Sequence, residues 1–237
     1  MFSYLATDKG PVRPVNEDSA AVFEPCVYVV ADGMGGQAAG EVASQLLVKV
    51  VRQELEGKAA VSETQLKQAV LAANAEILHT ARSFAGYQGM GTTVTMLHVN
   101  EQAALASWAH VGDSRLYLCR DGVLSQMTQD HTYVESLVAK GELTEAEARV
   151  HPKKNMLLRA VGVDEHLLID TGSFAIRSGD VLLLATDGLM KSVSDAEIAT
   201  VLTGNGKDAA RILVDKALAA GARDNVTVVV VEDRNED

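Results

Sequence analysis

The stretch Val27–Gly36, VYVVADGMGG, decides how this chain is read. Its first five residues are apolar without polar alternation, which suits a strand buried on both faces. The run stops at a carboxylate, Asp32, followed by Gly33. Aspartate and glycine are favoured turn formers, so one such pair reads simply as a turn. The pattern recurs, however. ASWAHVGDSR carries Asp113-Ser114, VLLLATDGLM carries Asp187-Gly188, and GARDNVTVVVV places Asp224-Asn225 just ahead of a strand. If the last two strands run antiparallel to the others, all four carboxylates meet at one edge of the core. Gathered carboxylates raise one another's pKa unless cations neutralise them. The donors are oxygen only, with no Cys or His pair at zinc spacing, so Mg²⁺ or Mn²⁺ is the expected ion. Two ions sharing one carboxylate would stand roughly 3.5–4 Å apart, a spacing suited to in-line displacement at phosphorus. Gly33 would let its backbone carbonyl approach such an ion.

Working outward, GPVRPVNEDS places Arg13 ahead of Asn16, Glu17 and Asp18. A guanidinium grips phosphate through two parallel hydrogen bonds, whereas the plain alternative is a surface ion pair with Glu17 or Asp18. Apolar runs predict strands over Thr92–Val99, Ala103–His110, Arg115–Arg120, Val181–Ala185 and Val226–Val231, with weaker candidates over Phe2–Asp8 and Ser19–Phe23. Asp121-Gly122 predicts a tight hairpin. Helical spacing of Val42, Leu46, Val50 and Val51 predicts a helix from about Ala38 to Leu55. A second helix runs from about Glu63 to Ser83, and Ser62 with Gln65 marks its start. A last helix covers about Lys207–Ala220. Two consecutive helices between strands do not fit a doubly wound parallel sheet, and two antiparallel sheets with helices outside fit better. The polar segment from Asp130 to Pro152 reads as an excursion from the core, with a helix start at Thr144-Glu145-Ala146-Glu147.

The 237 residues suit one domain or a tight pair. At 47% apolar but only 4% aromatic, the core must be built from Val, Leu, Ala and Ile. The formal charge is −11 with no basic run, which argues against a nucleic-acid partner. The acidity reads either as ordinary solubility or as carboxylates gathered for cations. Cys26 and Cys119 are isolated in apolar stretches and read as buried small hydrophobes in a reducing compartment. MFSYLATDKG has no basic segment followed by an apolar run, and no apolar stretch reaches the ~18 residues that span a bilayer. A soluble cytoplasmic protein is expected.

R-x-x-N-E-D, A-D-G-M-G-G, G-T-T, V-G-D-S-R, T-D-G-L and D-N-x-T follow one another in this order between Thr7 and Val231. Together they resemble the metal-dependent protein phosphatases, the type-2C or PPM family, in its compact bacterial form. The resemblance implies an α+β fold, a four-layer α-β-β-α sandwich of two antiparallel sheets flanked by helical pairs. It implies a single catalytic domain over 1–237, with a flap at about 130–152. It also implies hydrolysis of phosphoserine and phosphothreonine on proteins by a metal-bridged hydroxide, with Mn²⁺ or Mg²⁺ in two core positions. By motif, Asp32 matches the carboxylate shared by both ions and Gly33 a backbone ligand. Asp187 and Asp224 match ligands of the first ion, and Asp18 reaches the second with Glu17 in support. Asp113 matches a ligand of a third ion seen in bacterial members, Arg13 the phosphate-binding arginine, and Asn225 supports Asp224. Met34 departs from relatives that carry histidine there as general acid; a metal-bound water or His131 would then supply the proton, unless His131 and His151 are only surface or capping residues. Phosphorylated proteins and an opposing Ser/Thr kinase are the expected partners of a monomer. A fold that has lost catalysis would have lost these carboxylates, and all are present. A small-ester hydrolase using the same metals remains the other alternative.

Overall fold

The computed structural model describes residues 1–35, 39–58 and 60–233. Eleven strands and seven α-helices are found among them. One sheet has the order β1-β11-β10-β7-β8: β1 is Phe2–Asp8, β7 Arg115–Arg120, β8 Val123–Gln126, β10 Val181–Ala185 and β11 Val226–Glu232. The other has the order β2-β3-β5-β6-β9: β2 is Asp18–Phe23, β3 Val27–Met34, β5 Val94–Asn100, β6 Leu105–Val111 and β9 Asp170–Ala175. The two-residue β4, Gly91–Thr92, pairs with the end of β3. Every pairing is antiparallel.

The strands lack polar alternation because both faces are covered. In β3, Val27, Val29 and Ala31 pack under α1 (Ala39–Leu55) and α2 (Glu63–Ser83). Tyr28 and Val30 face the second sheet, where they meet Leu182, Leu184, Val229 and Val231. On that sheet's far side, Leu183, Ala185, Val228 and Val230 lie under α6 (Asp195–Gly204) and α7 (Ala209–Ala219). The layers therefore run helix, sheet, sheet, helix. Branched aliphatic side chains fill such a thin double-sided core well.

Several boundaries differ from the sequence expectation. Asp32 and Gly33 do not follow a strand; β3 continues through them to Met34 because β4 pairs there. The predicted Thr92–Val99 strand divides at Thr93. The expected start at Ala103 moves to Leu105, because residues 101–104 form a turn with Ala104 at φ +47°. The expected first residue of α1, Ala38, lies outside the described residues. Ser62–Gln65 and Thr144–Glu147 do form reciprocal caps. Asp121 and Gly122, at φ +52° and +78°, make the tight β7–β8 turn. The excursion carries α3 (Tyr133–Ala139) and α4 (Glu145–Val150), and it rejoins the body through bridges Thr132 to Leu157 and Thr92 to Val161. No helix among the described residues is long and apolar enough to cross a membrane.

Candidate metal centre

The β2–β3 register sets Asp18 directly opposite Asp32. The Asp32 N–H donates to Thr93 Oγ1 at 2.9 Å, and its carbonyl accepts from the Thr93 N–H at 2.9 Å. These bonds hold the strand straight through a residue pair that usually turns. In the other sheet, β10 ends at Ala185, and Asp187 opens the short helix α5 (Asp187–Met190). Asp224 precedes β11, whose start lies beside the end of β10 because the two run antiparallel. Thr186 joins the sheets: its hydroxyl donates to Asp18 Oδ2 at 2.8 Å and accepts from the Thr227 N–H at 3.0 Å. Asp113 sits in the β6–β7 turn beside Gly112, which is at φ +112°.

Electrostatics show that these residues act on one another. Asp32 is driven well above the usual carboxylate range, first by burial and then by the charges of Asp18, Asp187, Asp113 and Asp224. Asp18 is pushed up to about 7 by burial, against the hydroxyls of Thr227 and Thr186, with repulsion from Asp187 and Asp224 adding to it. Asp113 is also pushed up to about 7 by burial, helped by Asp187 and Asp130 and opposed by Lys191. Burial raises Asp187 in the same way, with Lys191 opposing. The strand registers and the Thr186 bridge bring Asp18, Asp32, Asp187 and Asp224 to one edge of the two sheets, and Asp113 lines the same groove as Asp187.

Two buried oxygens, Asp18 Oδ1 and Asp187 Oδ1, have no hydrogen-bond partner among the described residues. A buried carboxylate oxygen left unpaired is costly, and a hard cation is the partner such oxygens suit. The donor set fits Mg²⁺ or Mn²⁺. It is a convergence and not a closed cage: among the described residues no three His, Cys, Asp or Glu groups stand as a ready-made ligand set. Lys191, one helical turn after Asp187, stands between carboxylates; its ammonium contacts Asp187 and lies 3.2 Å from Asp224 Oδ2.

The N-terminal segment is held against this edge by Asn225. Its side-chain carbonyl accepts from the Glu17 N–H at 2.9 Å, and its amide donates to Lys9 O at 2.8 Å and Val15 O at 3.1 Å. Arg13 pairs with Asp224 Oδ1 at 2.9 Å, not with Glu17 or Asp18, the partners expected of a plain surface ion pair. Its side chain is 44% exposed, so the guanidinium is on the rim. Glu17 is raised by burial, with Arg13 opposing.

Gly33 is needed for packing as well as for any ion its carbonyl meets. A Cβ there would lie 2.0 Å from Gly40 O and 2.7 Å from Glu17 O. A Cβ on Gly40 would in turn lie 2.5 Å from the Glu17 carboxylate. The pair lets the first turn of α1 sit on β3. A groove of about 660 Å³ leads from Asp113, Asp187 and Lys191 along the excursion, where Val134, Arg149 and Lys154 line it.

Residues 15–220 match the protein phosphatase 2C family. The chain belongs to the protein phosphatase 2C family. A serine/threonine phosphatase stp of Listeria innocua is 37% identical over 98% of this chain and 96% of its own length. The crystal structure of the Mycobacterium tuberculosis serine/threonine phosphatase PstP/Ppp superposes with a TM-score of 0.90 at 37% identity, covering 98% of this chain and 99% of that one. The catalytic domain of a phosphatase PstP, solved in complex with two manganese ions, gives a TM-score of 0.87 at 36% identity over 98% of both chains.

Within this protein phosphatase 2C fold, sequence reasoning gave no role to Lys191 or Gly40, and held Thr186 and Thr93 only as letters of the T-D-G-L and G-T-T motifs. Lys191 had a usable signal, its i+4 spacing from Asp187. Gly40 had none, and the roles of Thr186 and Thr93 were hidden because their partners Asp18 and Asp32 are distant in sequence. His131 is not a mobile acid: it is 7% exposed and bonded to Gly112 and Asp170.

Proposed function

We propose that this chain is a protein-serine/threonine phosphatase that depends on Mn²⁺ or Mg²⁺. The observation that carries the reading is the convergence of Asp18, Asp32, Asp113, Asp187 and Asp224, with buried oxygens of Asp18 and Asp187 unpaired among the described residues. Full-length similarity to serine/threonine phosphatases, and to a manganese-bound catalytic domain, supports it.

Asp32 would serve both core ions, with Gly33 beside it as a backbone ligand. Asp187 and Asp224 would hold the first ion, Asp18 would serve the second with Glu17 behind it, and Asp113 would serve a third. When bound, such ions neutralise the carboxylates and activate water for in-line attack at phosphorus. Arg13, at the exposed rim, orients the substrate phosphate through its planar fork. Asn225 positions Arg13 by fastening Lys9, Val15 and Glu17. The Met34 thioether holds no transferable proton, and His131 is engaged in the body of the fold. Water at the centre is left as the proton source for the leaving alkoxide, unless the Lys191 ammonium beside Asp187 and Asp224 supplies it. Substrates are phosphorylated proteins, and the enzyme opposed is a Ser/Thr kinase. The chain acts as a cytoplasmic monomer, and its −11 charge suits neither nucleic acid nor a polyanionic surface.

Asp32→Asn tests this. Turnover of a phosphothreonine peptide should fall by at least about 10³-fold, with the circular dichroism and thermal melt of a folded protein. Retained turnover would remove Asp32 from the centre. Preference for a small phosphate ester over the peptide would redirect the substrate class.

A further inference from the structure

The excursion is fastened where it leaves and re-enters the body, and the fastening passes through the turn that carries Asp113. His131 N–H donates to Gly112 O at 2.7 Å, and the Gly112 N–H donates to His131 Nδ1 at 3.1 Å. Gly112, the residue before Asp113, is thus gripped twice by one histidine. With Nδ1 accepting, the neutral ring carries its proton on Nε2, which faces Asp170 Oδ2 at 3.0 Å while Arg159 Nη1 stands 3.1 Å from the same nitrogen. Asp170 also accepts from Arg159 Nη1 through Oδ1 at 2.8 Å. Arg159 closes the returning stem, where the Leu158 N–H donates to His131 O at 2.8 Å. The His131 ring packs on His110 with centroids 4.8 Å apart. On the other side Asp130 takes a two-pronged grip from Arg115 at 2.9 and 2.8 Å. Burial lowers the His131 pKa, in keeping with a neutral ring whose Nδ1 stays an acceptor.

We propose that His131 is a positioning residue for Asp113, and that the His131–Asp170–Arg159 chain makes the excursion's stem and the Asp113 turn one rigid unit. The inference rests on Asp113 being a metal ligand, as assigned above. The arrangement parallels the carboxylate–histidine pairs that orient metal ligands from behind, except that here the imidazole grips the ligand's backbone. Partners of that kind change metal affinity by about 10–100-fold when removed. A purely structural histidine would have no reason to act on one ion more than another.

Manganese binding to the full chain, followed by calorimetry and by the spin-resonance signal of free Mn²⁺, separates these cases. Asp170→Asn is the working variant, because Asp170 is partly exposed at 42% and its loss leaves His131 buried in place. It should weaken one class of bound Mn²⁺ by about 10-fold and leave the others within about twofold. Asp113→Asn should remove that class, and Asp170→Asn added to Asp113→Asn should change the isotherm no further. His131→Asn should follow Asp170→Asn if it folds. An unchanged isotherm for Asp170→Asn, equal weakening of all classes, or a full further effect in the Asp113→Asn background would each overturn the proposal. If Asp113→Asn leaves the isotherm untouched, the assignment of Asp113 as ligand fails, and the positioning role fails with it.

Discussion

Asp32 and Gly33 are adjacent yet answer to different demands. Asp32 lies in a strand that β4 extends, among carboxylates that raise its pKa through burial and repulsion. Gly33 faces the first turn of α1, where any Cβ would meet Gly40 O at 2.0 Å. Gly33→Ala should therefore reduce stability through overpacking, by about 1–3 kcal/mol. For a domain of this size that is a drop of roughly 2–12 °C in Tm. A thermal melt checks it, and an unchanged melt would show that α1 can shift without cost. Asp32→Asn should do the opposite, removing turnover without loss of fold. Arg13 makes a third case. Arg13→Ala deletes a rim guanidinium that is 44% exposed, so the melt should hardly move while kcat/KM on a phosphopeptide falls by about 10–100-fold. Arg13→Lys should restore little of it, since an ammonium cannot present two parallel donors.

At the scale of elements, the strands were legible where their residues are apolar on both faces. Arg115–Arg120 and Val181–Ala185 came out to the residue because each is walled by a sheet on one side and helices on the other. β9 was missed because Asp170–Ala175 has no fully buried residue and reads as loop, and of β8, Val123–Gln126, only the hairpin turn ahead of it was read. α6 was passed over although Ser194 and Glu197 form a reciprocal cap ahead of it. Asp32, Asp113, Asp187 and Asp224 stood out because each lies at the end of an apolar run, whereas Asp18, at the start of a weaker run, was marked only by its motif. Lys191 carried only its i+4 spacing from Asp187; its second partner, Asp224, is 33 residues away in sequence and gave no sign. The N-terminal segment shows how an element without regular structure is held. Asn225 supplies one acceptor and two donor bonds to it, so Asn225→Ala removes three hydrogen bonds that fasten the segment. That should cost about 1–3 kcal/mol and raise KM for a phosphopeptide, because Arg13 loses its mooring. A variant with normal stability and KM would show that the segment is held elsewhere.

At the scale of the whole molecule, the centre lies across the seam between the sheets. Asp18 and Asp32 come from one sheet, and Asp187 and Asp224 flank strands of the other. Ions held there would staple the layers, so ion binding and folding should be linked. At Mn²⁺ about 100 times its dissociation constant, the linkage amounts to about 2.7 kcal/mol, or roughly 5–11 °C in Tm. The pH dependence follows from the raised carboxylates. Asp18 and Asp113 are each pushed up to about 7, above an unfolded value near 3.9. The folded chain then binds more protons than the unfolded one between those values. Their contribution to stability is full below about pH 4 and is lost as pH rises through about 7. In chelator, Tm should accordingly be higher near pH 5.5 than near pH 8, so far as these groups govern it. With saturating Mn²⁺ that difference should vanish, because the ligating carboxylates lose their protons to bind and are then as deprotonated as in the unfolded chain above about pH 5. The Mn²⁺-induced increment in Tm should therefore grow across this range. Scanning calorimetry at both pH values, with chelator and with Mn²⁺, measures it directly. An increment of the same size at both would mean that Asp18 and Asp113 do not exchange protons for ions, and the stapling of the two sheets would have to be assigned to other groups.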